Sequence, residues 1–339
     1  MSTYPKQVEF LKLVQARIPD HLNVVDTLGE LLGIGSDSTY RRLRGETALS
    51  FEEAQLISSH FGISMDAVGI DALNRVDFDA GHPIETAADY AKYSQRLVAR
   101  MLQIETGKQQ SHMYYLAQDF PLFYIYLFPQ ITRLKSFYWG RSILALPEFQ
   151  HVTYGQFTIP KERFEAGLEV IRSYAQLNAS EVWTSRSFLA TLKQIQYCWD
   201  TGLITELSDA LAILEEMDEL IEVIRIQSTA GQKINPLTRQ PTGAPFHFYI
   251  TDLSVGNNAV FLDRGDTKHT FLSFNTFNFI ETTNRAFNRQ TEKWIQELIR
   301  KSTKIEPGAT SVRDQYLAKL KRQVDTIRQA IRNQEDTLL

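Results

Sequence analysis

VVDTLGELLGIGSDSTYRRLRGETALSFEEAQLISSHFGISMDAV, residues 24–68, decides how the chain is read. Leu22, Val25, Leu28, Leu31 and Leu32 recur at intervals of a helical turn and predict an amphipathic helix. Gly33 and Gly35 bracket a short turn around Ile34. Ser36, Asp37 and Ser38 carry short oxygen-bearing side chains that can satisfy the free N–H groups of a helix start. A third helix therefore runs from there to about Arg44, and Gly45 can end it. Ser50 with Glu53 spells the S-x-x-E capping box and opens a fourth helix through about Phe61. Gly62 ends that helix, and Ser64 caps a short fifth one, MDAVGIDAL. Upstream, Val8, Leu11, Val14 and Ile18 mark the first helix.

In order and spacing these features resemble the phage-repressor or Cro-type (XRE-like) helix-turn-helix family. The matching features are a helix ending in Leu32-Gly33, a turn with Ile34, a third helix ending in Arg44-Gly45, and a fourth reading to Phe61-Gly62-Ile63-Ser64. The resemblance is confined to residues 1 to about 70. It implies a five-helix, lambda-repressor-like DNA-binding domain whose third helix, 36–44, reads the major groove. The contact set it implies is Ser36, Asp37, Ser38, Thr39, Tyr40, Arg41, Arg42 and Arg44. In that set Arg41 or Arg42 pairs bidentately with a guanine edge, and Ser36, Ser38 and Tyr40 hold phosphates or bases. Arg44 touches the backbone and sets register. Two departures stand out. Val25 replaces the glutamine common at the start of the family's second helix. Thr39 and Arg42 occupy positions where the family usually buries aliphatic residues, whereas Tyr40 and Leu43 are the apolar residues here. The small Gly29 allows the second and third helices a close approach.

Charge limits what such a module can do. The chain has 339 residues and a formal net charge of −4, which excludes a general basic coat. Within residues 1–75, seven Lys/Arg face ten Asp/Glu, so affinity for a polyanion must come from the Arg41-Arg42-Arg44 cluster. A lone cysteine, Cys198, rules out an intrachain disulfide and fits a reducing, cytoplasmic compartment. MSTYPKQVEF lacks the zones of a signal peptide. The most apolar run, FPLFYIYLF at 120–128, is far shorter than the roughly 20 residues of a membrane helix and reads as a buried segment.

Beyond the module, residues 76–85 read as a linker around Gly81 and Pro83. Residues 86–305 form a larger domain. Helices are expected over 86–104, 110–118, 122–138, 160–177, 184–200 and 205–228, followed by a polar loop at 229–245. FHFYITDLSV (246–255), AVFLD (259–263) and HTFLSF (269–274) then predict a small antiparallel sheet of β-hairpins. A helix over 283–301 follows, and a last one over 311–335 carries Leu317, Leu320, Val324, Ile327 and Ile331 as a heptad seam. That seam can pair with a second subunit or dock on its own domain. The fold class read from sequence is thus multidomain and mainly α, with an α+β second domain.

Motif chemistry for catalysis is absent. The seven histidines form no H-x3-H, HExxH or Cys/His arrangement, Gly107-Lys108 lacks the rest of a phosphate loop, and no serine sits in G-x-S-x-G. The aromatic segment 113–130 with Phe137-Tyr138-Trp139 reads as core or as the lining of a pocket for an apolar effector. The functional expectation is a non-enzymatic, DNA-binding transcription regulator, dimeric, with a C-terminal sensing or oligomerisation domain. Its expected partners are double-stranded DNA, a second copy, and an unnamed small-molecule or protein effector, with no membrane, no cofactor and no metal. The alternatives are an enzyme, or a protein–protein scaffold, that uses the module for regulation or interaction.

Overall fold

The structure is a computed structural model that describes residues 3–19, 21–63, 65, 76–93, 96, 111–265, 267–274 and 278–338. It divides into two compact units. The first comprises Met1–Asp79, Asp266–His269 and Thr282–Gln290, and the second holds the remainder.

The first unit contains α1 (Pro5–Gln15), α2 (Val24–Leu32), α3 (Ser36–Arg44) and α4 (Phe51–Phe61). Phe10, Leu11, Val14 and Ile18 meet Leu28, Ile57 and Ile63 in one small core. The expected five-helix domain is not what is seen: four helices are described, and the fifth, over 65–73, falls outside the described residues except for Met65.

The larger correction concerns the sheet. Among the described residues seven strands, β1 (His112–Ala117), β2 (Asn178–Thr184), β3 (Phe246–Thr251), β4 (Ala259–Asp263), β5 (Lys268–Phe274), β6 (Asn278–Thr282) and β7 (Thr303–Ile305), lie in the order β6-β5-β4-β1-β2-β3-β7. β1, β2 and β3 run parallel, with Tyr115 beside Glu181 and Glu181 beside Phe248. β4 and β7 pair antiparallel with β1 and β3. The expected small antiparallel sheet is therefore overturned by a mixed sheet with a parallel centre. Residues 110–118, expected as helix, contain β1, and β2 starts just past the expected helix 160–177 and ends at the first residue of the expected helix 184–200. No hairpin joins β3 to β4, because β1 and β2 lie between them. β4 and β5, consecutive in the chain, are sheet neighbours, and the Gly265 N–H donates to Asp263 Oδ1 at 2.8 Å.

Parallel strands need long crossovers, and helices supply them here. A 3-10 segment, Leu122–Leu127, with α5 (Pro129–Tyr138) and α6 (Lys161–Ala175) links β1 to β2. α7 (Leu189–Asp200) and α8 (Leu207–Ala230) link β2 to β3. Tyr115, Trp183, Phe248 and Ile305 face the main core, which these crossovers share with α10 (Thr310–Leu338). The opposite face, through Leu116, Val182 and Phe261, packs on Ile295 and Leu298 of α9 (Arg285–Arg300). The heptad seam of α10 docks within its own chain: Leu317, Leu320, Val324 and Ile331 are fully buried with Ile213, Leu214 and Met217 of α8.

The aromatic run 120–128 is buried throughout and contributes Tyr124 to a buried polar cluster. Tyr124 Oη and Trp183 Nε1 donate to the Glu181 carboxylate at 2.8 and 2.7 Å, and the Tyr174 hydroxyl also donates to it. Gln227 Nε2 donates to Tyr124 Oη at 2.8 Å. Lys233 Nζ donates to the carbonyls of Tyr174 and Leu177 at 2.7 and 2.6 Å and lies over the Tyr174 ring. Burial pushes the Glu181 carboxyl up and the Lys233 ammonium down from their ordinary values. Among the described residues no helix is long and apolar enough to cross a membrane.

Candidate nucleic-acid interface

The first unit builds a corner between α2 and α3. Asn23 opens α2, its Oδ1 accepting the Val25 N–H at 2.8 Å. Gly33 closes it at φ 65°, a left-handed conformation that glycine adopts without strain. The Ile34 N–H then returns to the Gly29 carbonyl at 3.0 Å, which turns the chain sharply. A Cβ on Gly29 would lie 3.0 Å from the Ile34 carbonyl oxygen and 3.3 Å from Thr39 Oγ1, so the absent side chain sets the approach of α3 to α2. α3 starts after Gly35, which is the N-cap; Ser36, Asp37 and Ser38 are its first helical residues. No side chain caps α3.

Burial divides the expected contact set. Thr39 is only 1% exposed and faces Gly29. Arg42 turns toward α4, where Nε and Nη2 reach Glu53 Oε2 and Oε1 at 3.2 and 2.9 Å. Leu43 packs on the small core. Ser38 is half-buried. Ser36, Asp37, Tyr40, Arg41 and Arg44 are exposed, Tyr40 by 48%. The inward positions are therefore those where the resemblance places aliphatic residues, filled here by a threonine hydroxyl bonded to the Gly35 carbonyl and by an ion-paired arginine.

Three residues outside the expected contact set bond to this helix or its end. Gln7 of α1 donates from Nε2 to the carbonyls of Arg42 and Thr47, both at 2.8 Å, and its Oε1 accepts the Leu49 N–H at 2.7 Å. A single glutamine thus clamps the end of α3 and the loop behind it, and nothing local in PKQVEF marks it for that role. Glu53 had a signal, the capping box, and the box forms: the Glu53 N–H donates to Ser50 Oγ and the Ser50 N–H to Glu53 Oε2. The same carboxylate also binds Arg42. Burial pushes the Glu53 carboxyl up, but its bonds from Arg42 and the Ser50 N–H outweigh that and hold it below the usual range. Glu46 is the third. It pairs with Arg44 through Nε–Oε1 at 2.7 Å and Nη2–Oε2 at 3.1 Å. That pairing raises the Arg44 guanidinium and lowers the Glu46 carboxyl from their ordinary values. Arg41 Nε lies 3.2 Å from Asp37 one turn back.

Cys198 is buried, and burial pushes its thiol up to about 12, the reverse of an activated nucleophile. Among the described residues no three His, Cys, Asp or Glu side chains converge as a metal site requires. Comparisons with protein-family models, curated proteins and solved structures found no match to this chain.

Proposed function

We propose that this chain is a DNA-binding transcription regulator whose α3 enters the major groove. One observation carries the reading. α3 is held by α1, α2 and α4 along its Thr39–Arg42–Leu43 side, while Ser36, Asp37, Tyr40, Arg41 and Arg44 are exposed on the other. A short helix presented in this way fits the major groove of B-form DNA. On this reading Arg41 reads a base edge and Arg44 contacts a phosphate, with Ser36 and Tyr40 flanking them. Arg42 is the strut that fixes the angle of α3 against α4.

One such helix offers few cations, so the reading takes the protein as a homodimer on a two-fold site. The second unit then senses or oligomerises. The test is selection of duplexes from a randomised library by the full-length protein, followed by gel shifts on the enriched sequence. Arg41→Ala and Arg44→Ala should each weaken binding about tenfold or more, within the 1–3 kcal/mol of a good bidentate base contact or charge-assisted bond. Binding should also weaken steeply with salt. A library that shows no enrichment, or binding untouched by both changes, removes the assignment.

A further inference from the structure

We infer that Asp37 and Glu46 form a charge gate over the outward face of α3, a carboxylate mask that suppresses binding to DNA of arbitrary sequence; this rests on the DNA-binding reading above. Each of the three arginines of α3 has its own acid: Asp37 for Arg41, Glu53 for Arg42 and Glu46 for Arg44. The pairs differ in burial. The Arg42–Glu53 pair is mostly buried, with side chains 18% and 21% exposed, and Gln7 and the capping box brace its surroundings. The other two pairs lie in the open, where solvent screens an ion pair and leaves it weak.

An exposed carboxylate beside each outward guanidinium has two effects on an approaching duplex. The arginine must leave one anionic acceptor to gain another, so a randomly placed phosphate offers it little. The released carboxylate then faces the phosphate backbone and repels it. A correctly registered guanine edge changes this balance, because it is neutral and accepts two hydrogen bonds from one guanidinium in a geometry a lone phosphate does not match. The gate therefore acts on non-specific affinity more than on specific affinity.

The probes are a random-sequence duplex of about 30 base pairs, long enough for two half-sites one helical turn apart, and the duplex enriched from the library. Both are titrated by fluorescence anisotropy with the full-length protein at several salt concentrations. Glu46→Gln and Asp37→Asn should each raise affinity for the random duplex about threefold to fivefold, the yield of freeing one exposed pair. Each should steepen the salt dependence by about one counterion, because one more arginine reaches a phosphate. For Asp37→Asn, which frees the base-reading Arg41, affinity for the enriched duplex should change less than about twofold, so the ratio of the two affinities falls; Glu46→Gln, which frees the phosphate-contacting Arg44, should raise both. Glu52→Gln removes the same charge from the start of α4 without touching an arginine of α3, and it separates the gate from a general change in net charge. Thermal unfolding of each variant checks that α3 keeps its frame.

Equal gains for Glu46→Gln and Glu52→Gln would overturn the gate, as would an unchanged salt slope or, for Asp37→Asn, equal gains on both duplexes. Wild-type protein and all variants that bind neither duplex would remove the DNA-binding reading and the gate with it. Wild-type protein that binds while the variants match it would remove the gate alone.

Discussion

At the scale of single residues, the chain places polar groups where only specific partners make them tolerable. Glu181 in the second unit is fully buried in a parallel strand and meets three donors, from Tyr124, Tyr174 and Trp183. Replacing apolar surface there with a carboxylate costs several kcal/mol unless such bonds form, which is why the surrounding aromatics carry hydroxyl and indole N–H groups. His112 gives a prediction that can be read from pH. Its Nε2 sits 2.9 Å from Ser180 Oγ, with its ring stacked near that of His247. Burial, then the charges of His247 and Lys233, lower its pKa to about 4, with Asp263 opposing. At a pH of about 5 the unfolded chain binds a proton that the folded site refuses. His112 thus supports the fold above its unfolded value near 6.5, and that support is lost as pH falls from there toward 4. His112→Gln should flatten the fall in denaturation midpoint between about pH 7 and about pH 4.5. Identical slopes for the two proteins would show that the ring is solvated.

At the scale of elements, the α2–α3 corner depends on one missing side chain. Gly29→Ala should be near neutral, because helix propensity returns about 1 kcal/mol while the added methyl crowds the Ile34 carbonyl at 3.0 Å. Gly29→Val adds two further methyls at the same contact and loses part of the propensity gain. It should cost about 1–3 kcal/mol and displace α3, lowering both the melting temperature and any affinity for DNA. Wild-type melting of the Gly29→Val variant would mean that the helices separate without penalty. The caps in this unit were legible because capping is local: Ser50 and Glu53 are three residues apart, and Gly33, Gly45 and Gly62 all adopt the positive φ that their place after a helix predicts. β1 and β2 were not legible. A strand buried on both faces loses the alternation that marks strands, and MYYLA reads as well in a helix as in a strand. Glu181 in β2 looks like a solvent-facing residue until its donors arrive from elements 7 and 57 residues away in sequence.

At the scale of the whole molecule, the first unit is not contiguous in sequence. Besides residues 1–79 it includes 282–290, where Arg17 Nη1 donates to Thr283 Oγ1 at 3.2 Å and Phe78 meets Phe287 edge-on at 5.5 Å between ring centroids. A fragment ending at residue 79 should therefore melt below the first unit within the full chain. Hydrogen exchange at the amides of α1 and α4 would measure the difference, and equal protection in both would show that 282–290 adds nothing. The sequence alone determined what depends on near neighbours: where α2, α3 and α4 end and where α4 begins, the short corner at Gly33–Gly35, the charge balance that leaves three arginines as the cationic cluster of the module, and the heptad seam of the last helix. Only the tertiary structure decided which of those arginines face outward, since Arg42 is withdrawn by Glu53 and Gln7, residues on two other helices. It also decided that the seam of α10 is covered by α8, and that β1 and β2 separate strands expected to form a hairpin. Caps and turns are fixed by bonds spanning three or four residues, whereas strand order and helix facing depend on partners distant along the chain, whose identity no local window contains.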